Sequence, residues 1–293
     1  MLRRQRTILR ILATVDGPVA VTQLHKYLFL LQKETFLSDD SAFYEFLPYK
    51  FGPYSFAANR ELDALSAYSY ITSTVSPTTT LLTLTALGTK EAQLVDSNTS
   101  RAILAIVFKY GKAPLRTLLK DVYSRYSWYA TNSELKDLIP IDAPKQPVAP
   151  PAIYTMGYEE RSVDGFFNRL LRTGIRRIID VRANPVSRKY GFARSSFSSI
   201  AAKLRIGYTH CPELGISSDK RRDVQTSSEF KQLFSYYERN VLAERTSEMA
   251  SVAEMMKTTA CVLVCMEKEP QDCHRSRLAN RLGTSTGLSV IHL

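Results

Sequence analysis

The sequence predicts an α/β fold, a Rossmann-like parallel sheet, in its second half, preceded by a mostly helical winged helix-turn-helix domain. Three observations carry that prediction. After residue 151, short β-branched apolar runs alternate with helical patterns, which is how a parallel sheet with right-handed crossovers is written. Before residue 139, apolar residues recur mainly at helical spacing, with one pair of short strand-like runs. Between the two, five prolines fall within the twelve residues Pro140 to Pro151, a composition that neither continues a helix nor enters a central strand. The expected organisation is a helical domain over 1–138, a proline-rich linker over 139–151 and an α/β domain over 152–293.

In the first part, Ile8, Ile11, Leu12 and Val15 define one helix, stopped by the turn signal Asp16-Gly17-Pro18. Thr22 is the expected N-cap of a second helix with Leu24, Leu28 and Leu31 on one face. A third helix is expected over about 55–67. Two short strands, Tyr70-Ile71 and Leu81 to Leu84, follow with Ser, Pro and Thr between them, and further helices run over about 86–138. Helix, turn, helix, helix and hairpin is the order of a winged helix, in which one helix enters the major groove and the wing touches the backbone.

In the second part, Ala152 to Met156 reads as a buried strand leaving through Gly157 to Arg161. Ser162 caps a helix that Gly174 ends. A second strand begins at Ile175 and leaves through Asp180 to Pro185; a third spans Gly207 to Gly215 after a helix over 197–204. Helical pattern over about 228–258 leads to a strand at 260–266, and a helix covers Arg275 to Leu282.

The chain carries 39 Lys+Arg against 28 Asp+Glu, a net charge of +11. Residues 1–150 hold 17 basic and 13 acidic side chains, and residues 151–293 hold 22 and 15, so both parts are basic. That balance favours polyanions such as nucleic acid or nucleotides, or serves solubility alone. No apolar run approaches the roughly 18 residues that span a bilayer, and the basic N-terminal stretch reads as an amphipathic helix, not a signal peptide. Four cysteines in 293 residues do not make a disulfide framework, so a reduced, cytoplasmic protein is expected. A homodimer suits a winged helix, although no heptad marks an interface.

Four C-terminal motifs, Tyr154-Thr155-Met156-Gly157-Tyr158-Glu159, Asp180-Val181-Arg182-Ala183-Asn184-Pro185, Pro212-Glu213-Leu214-Gly215 and Cys265-Met266-Glu267-Lys268 with Cys273-His274-Arg275, occur in that order. Residues 152–293 thereby resemble domain-of-unknown-function family 488. The resemblance implies a Rossmann-like domain with these motifs on one rim. Glu160-Arg161 departs from it, because relatives carry glycine after the glutamate. Leu28-Phe29-Leu30-Leu31-Gln32, with Phe43 through Tyr54-Ser55, resembles the YwgA and SocA/Panacea-like antitoxin domains, associated with phage defence. The additional strands and helices depart from that pattern, so toxin neutralisation is not carried over.

All four motifs fall at strand C-terminal ends, where open α/β sheets place their ligand crevice. Asp180, Glu213, Cys273 and His274 are the candidate catalytic groups. Asp180 or Glu213 would serve as general base, and Cys273 as a nucleophile whose pKa is lowered by a helix N-terminus, His274 and Arg275. Tyr158, Glu159, Arg182, Asn184, His210, Glu267 and Arg275 are the candidate ligand groups, with Arg182 and Arg275 forking a phosphate. Asp180 and Arg182 suit a structural ion pair as well. No cofactor is indicated: the Gly-x-Gly-x-x-Gly fingerprint of NAD sites is absent. No metal site is assigned, though Cys265, Cys273 and His274, with His210, supply soft ligands at a spacing unlike that of zinc modules. Cys211 and Cys261 read as buried small hydrophobes. In the first part, Tyr49, Lys50, Tyr54 and Arg60 are the candidate nucleic-acid contacts, and the same aromatics equally suit a packed core.

The expected function is therefore a nucleic-acid-associated protein: a winged helix docks DNA, and an α/β crevice binds or processes a nucleotide or modified base. A ligand-sensing regulator or defence-associated sensor without catalysis, and a protein-interaction module, are the alternatives.

Overall fold

The computed structural model describes residues 1–15, 17–77, 79–111, 113–221 and 226–293 and divides into two units, Met1–Lys145 and Gln146–Leu293. The boundary falls inside the proline-rich stretch, whose second half packs on the C-terminal unit. Arg176 Nη1 donates to Gln146 Oε1 at 3.0 Å, and Tyr154 Oη donates to the Pro150 carbonyl at 3.0 Å. Among the described residues, no helix is long and apolar enough to cross a membrane.

In the first unit α1 (Arg3–Val15) buries Ile8, Leu9, Ile11 and Leu12. Asp16 of the expected turn lies outside the described residues. Strand β1 (Val19–Ala20) leads directly into α2 (Val21–Glu34), so the helix starts one residue before Thr22; its N-cap is Ala20, without a side-chain capping bond. Thr22 therefore sits in the first turn and is not the cap. An antiparallel hairpin, β2 (Leu47–Tyr49) and β3 (Gly52–Tyr54), precedes α3 (Phe56–Ala67), which Ser55 caps by accepting from Ala58 N at 3.1 Å. Strands β4 (Ile71–Val75) and β5 (Thr80–Leu84) pair antiparallel, and β1 adds to β5, giving a three-stranded sheet in the order β1-β5-β4. Helices α4 (Ala86–Ala92), α5 (Ser97–Tyr110) and α6 (Leu115–Arg125) complete the unit.

The second unit is α/β. Strands β6 (Ile153–Gly157), β7 (Arg177–Asp180), β8 (Gly207–His210), β9 (Cys261–Cys265) and β10 (Val290–His292) form one parallel sheet in the order β10-β6-β9-β7-β8. Strand β10 is absent from the sequence expectation; three residues after a glycine are too few to show a period. Between β6 and β7 lies α7 (Val163–Thr173), capped by Ser162 and closed by Gly174 at φ +88°. A Cβ on Gly174 would come within 2.6 Å of Ala149 N and the Pro147 carbonyl. Helix α8 (Arg194–Lys203) precedes β8. The stretch before β9 is a broken series, not one helix: α9 (Ser218–Arg221), α10 (Ser227–Tyr236), a π-helical turn at Tyr237–Val241, α11 (Leu242–Glu244) and α12 (Thr246–Thr258). Helix α13 (His274–Thr286) follows β9.

Two polar residues of α2 are fully buried beneath the β2–β3 hairpin. Lys26 Nζ donates to the Pro53 carbonyl at 3.0 Å; His25 Nδ1 accepts from Ser55 N at 3.4 Å, and the His25 ring stacks on Tyr54 at 4.3 Å. Desolvation pushes the Lys26 ammonium down to about 7, and desolvation with the Lys26 charge pushes His25 down to about 3. Because the folded Lys26 binds its proton less tightly than the unfolded chain does, stability rises with pH between about 7 and 10.5. Lys26→Met is expected to flatten that rise, which has an upper limit of roughly 1.4 kcal/mol per pH unit. Urea unfolding at several pH values across this window checks it, and equal slopes in both proteins would refute it.

Candidate functional site

The chain leaves β6 toward β7 on one side and leaves β9 toward β10 on the other. The neighbouring ends of β6 and β9, where Gly157 lies opposite Cys265, are therefore the switch point of the sheet. All four motifs meet this edge, at Gly157, Asp180, His210 and Cys265. The loop after β9 crosses so closely that a Cβ on Gly157 would lie 1.8 Å from the Glu267 carbonyl oxygen, which explains the glycine of the first motif. Glu160 in the same loop takes φ +59°, a left-handed conformation that favours the glycine the family resemblance anticipates.

Behind the switch point sits a closely packed donor set. Cys265 and Cys273 are buried, as is His274; Glu267 is half-buried, and one ligand atom from each lies within 4.8 Å of the other three. Cys265 Sγ is 3.0 Å from Glu267 Oε2 and 3.7 Å from His274 Nδ1, and Cys273 Sγ is 3.9 Å from the same nitrogen. His274 Nε2 lies 3.1 Å from the Val181 carbonyl, an acceptor only, so Nε2 carries the proton and the Nδ1 lone pair faces the sulfurs. Burial, with Cys265 and Glu267 close by, pushes the Cys273 thiol well up despite the Arg275 charge. The sequence anticipates the opposite. The helix N-terminus is there, with Cys273 Sγ accepting from Arg275 N at 3.5 Å, but desolvation outweighs it.

Both arginines of the anticipated phosphate fork are spent inside the protein. Arg182 bonds both carboxylate oxygens of Asp180, with Nε to Oδ1 at 2.8 Å, and Nη1 donates to the Phe192 carbonyl at 2.8 Å. Asp180 is fully buried and also accepts from Tyr208 Oη at 2.7 Å, so in this structure it is the ion-pair partner of Arg182. Arg275, 1% exposed, donates from Nη1 to the Glu267 carbonyl and from Nη2 to the Lys268 carbonyl at 2.9 Å, bracing the loop after β9. Both guanidinium groups are buried.

The remaining predicted groups divide by exposure. Tyr158 is buried, stacked on Phe192 at 4.4 Å with the Arg182 guanidinium carbon 5.1 Å from its ring centre. Glu159 is exposed and accepts from Lys268 N at 2.9 Å. His210 Nε2 donates to the Arg182 carbonyl at 2.8 Å, so Glu267 and not His210 is the fourth member of the donor set. Asn184 is exposed on the wall of a 550 Å³ hollow at the start of α8.

Residues 162–282 match the family model of Domain of unknown function DUF488. No curated protein matches the chain. The DUF488 stretch contains three of the four motifs and leaves β6, with the first motif, and β10 outside it.

Within the DUF488 stretch, Glu213 is the one anticipated catalytic residue that is exposed. It lines a 430 Å³ cleft with Lys220, Tyr236, Asn240, Glu244 and Arg245, and the Lys220 ammonium lies 4.9 Å from the Tyr236 ring centre. Sequence reasoning missed these residues because they lie 7 to 32 positions beyond Glu213, in a helical series whose polar faces read as solvated surface. Gly215 lets the cleft's floor approach the Asp180 loop, since a Cβ there would be 2.4 Å from Ala183 N. None of the four cysteines is in a disulfide; Cys261 is buried as expected whereas Cys211 is only half-buried, and burial raises both to about 11.

In the first unit Lys50 and Arg60 are exposed, while Tyr49 and Tyr54 are half-buried, with ring centres 5.0 Å apart and both packed on Phe56. Lys50 pairs with Glu134 at 3.3 Å.

Asp180→Asn leaves Arg182 buried with its charge uncompensated and is expected to cost about 3–5 kcal/mol, read by urea unfolding. The double change Asp180→Leu/Arg182→Met is expected to recover most of that loss; equal destabilisation by single and double variants would contradict the assignment.

Proposed function

We propose that this protein docks DNA through a winged helix in its first unit and binds a nucleotide-like ligand in the Glu213 cleft of its second, without turning it over. The first half of the reading is supported by connectivity: α1, β1, α2, α3, β4 and β5 follow the winged-helix order, the three strands form one antiparallel sheet, and the β2–β3 hairpin is an insertion before α3. In this reading α3, carrying Arg60, is the recognition helix, β4–β5 is the wing, and Lys50 on the inserted hairpin reaches a phosphate. The resemblance of residues 28–55 to antitoxin domains bears on the same unit and leaves a protein partner as the second outcome of the test.

The observation that carries the second half is burial. Asp180, Cys273 and His274 are each no more than 1% exposed, whereas Glu213 opens onto a cleft holding two cations and an aromatic ring. A carboxylate for ribose hydroxyls, Lys220 and Arg245 for phosphate and Tyr236 for a base are the groups that nucleotide recognition uses. Sensing, not catalysis, is what such a rim supports.

Fluorescence anisotropy of the full chain on duplex and single-stranded DNA across a salt series is the test. Each lost phosphate contact reduces the log–log slope on duplex by about 0.9, so Lys50→Ala and Arg60→Ala are each expected to lower it by that amount. Flat, weak binding by the unaltered protein would overturn the DNA reading and turn attention to protein partners. For the cleft, Glu213→Gln and Lys220→Ala are expected to weaken nucleotide binding by tenfold or more with unchanged thermal stability. Identical affinities in calorimetry would overturn that half alone.

A further inference from the structure

We infer that Cys265, Glu267, Cys273 and His274 form a tetrahedral zinc site that clasps the end of β9 to the first turn of α13. Neither the DNA reading nor the nucleotide cleft is needed for this inference. The donor set is two sulfurs, an imidazole nitrogen and a carboxylate, the composition that suits Zn²⁺ over hard oxygen-seeking cations. Its dimensions suit the same ion. Zinc bonds of about 2.3 Å to sulfur and 2.0–2.1 Å to nitrogen at tetrahedral angles place neighbouring donors about 3.5–3.8 Å apart. Three of the six separations between donor atoms here are 3.0, 3.7 and 3.9 Å, and all six lie within 4.8 Å.

Two further observations point to a cation. First, the imidazole is preset as a ligand. Its Nε2–H is held by the Val181 carbonyl, the outer bond that metal-bound histidines make, which leaves the bare Nδ1 directed between the two sulfurs. Second, charge closes around the site. With both thiols deprotonated and Glu267 ionised, the donors carry three negative charges, and Zn²⁺ leaves one. The Arg275 guanidinium is buried beside Cys273 with both bonded nitrogens on neutral carbonyls and Nε without a hydrogen-bond partner. A zinc–thiolate centre of net charge −1 supplies the anion that this buried cation needs. Binding displaces one proton from each thiol to solvent; no electron is transferred. Sequence spacing hides the site, since seven residues separate the cysteines and the carboxylate comes from the loop between them.

The test is elemental analysis of the full chain purified without chelator, followed by cobalt substitution. One zinc per chain is expected, as is a thiolate-to-cobalt charge-transfer band with the strong visible bands of tetrahedral Co²⁺. Cys273→Ser should abolish both, while Cys211→Ser, outside the donor set, should keep both. Because Cys273→Ser risks misfolding, Glu267→Gln provides a second reading: its position on a half-buried loop keeps the fold, and metal affinity should fall by tenfold or more. Substoichiometric metal with no charge-transfer band on adding Co²⁺ to fully reduced protein would overturn the inference. So would a Cys265–Cys273 disulfide in the protein as purified, or equal zinc content in Cys211→Ser and Cys273→Ser.

Discussion

A buried guanidinium is tolerated only when its donors are satisfied and its charge is answered, and the rim of the parallel sheet is organised around two of them. Arg182 anchors the exit from β7 by gripping Asp180 with two nitrogens and the Phe192 carbonyl with a third. Arg275 reaches back from the first turn of α13 to hold the carbonyls of Glu267 and Lys268, which fixes the loop after β9 across Gly157. The secondary contacts follow from these two. Tyr208 and Tyr158 line the Asp180–Arg182 pair, His210 takes the Arg182 carbonyl, and His274 takes that of Val181. The two arginines differ in one respect. Arg182 has its carboxylate, whereas Arg275 bonds only carbonyls, so its charge is answered by whatever the neighbouring sulfurs and carboxylate become.

A switch point usually leaves a crevice because the two strand ends diverge. Here the loop after β9 lies close over Gly157, Asp180 is tied to Arg182, and His210 and His274 are tied to backbone carbonyls. Open volume lies at the Asn184 hollow and in the cleft beyond β8, between the Glu213 turn and the broken helical series. The π-helical turn at Tyr237–Val241 contributes Asn240 and Val241 to the cleft wall. Such bulges interrupt regular helix packing and recur at ligand sites.

How much was legible in the sequence follows from which physical signal each part carries. The α/β order, Ser162 and Gly174 as helix ends, and the convergence of four motifs on one sheet edge were all readable, because buried strands and capped helices have local signatures. Partnering was not. Asp180 and Arg182 sit two residues apart and were legible as an ion pair or as ligand groups, and only burial separates those readings. Strand β10 takes its stability from pairing with β6, a long-range contact with no local period. Thr22 reads as a cap because threonine is a good one, yet β1 runs straight into α2 and the N-cap position falls on Ala20, which has no side chain to cap with. His25 and Lys26 fall among the leucines of α2, and nothing local reveals that both are buried under the hairpin.

The buried Lys26 also constrains the first unit. An ammonium with no acidic partner, bonded to one carbonyl, is a costly way to hold a hairpin, and a hydrophobic residue would hold it as well. What Lys26 adds is position. Its bond fixes Pro53, the Tyr54 ring stacks on His25, and Ser55 both donates to His25 and caps α3. The register of the β2–β3 hairpin and the start of α3 are thus set by one pair of adjacent residues on α2. If α3 reads DNA and the hairpin tip at Lys50 touches its backbone, the two contact elements are indexed to each other through that pair. A burial cost retained at this point is then the cost of geometry at an interface, which core packing alone would not require.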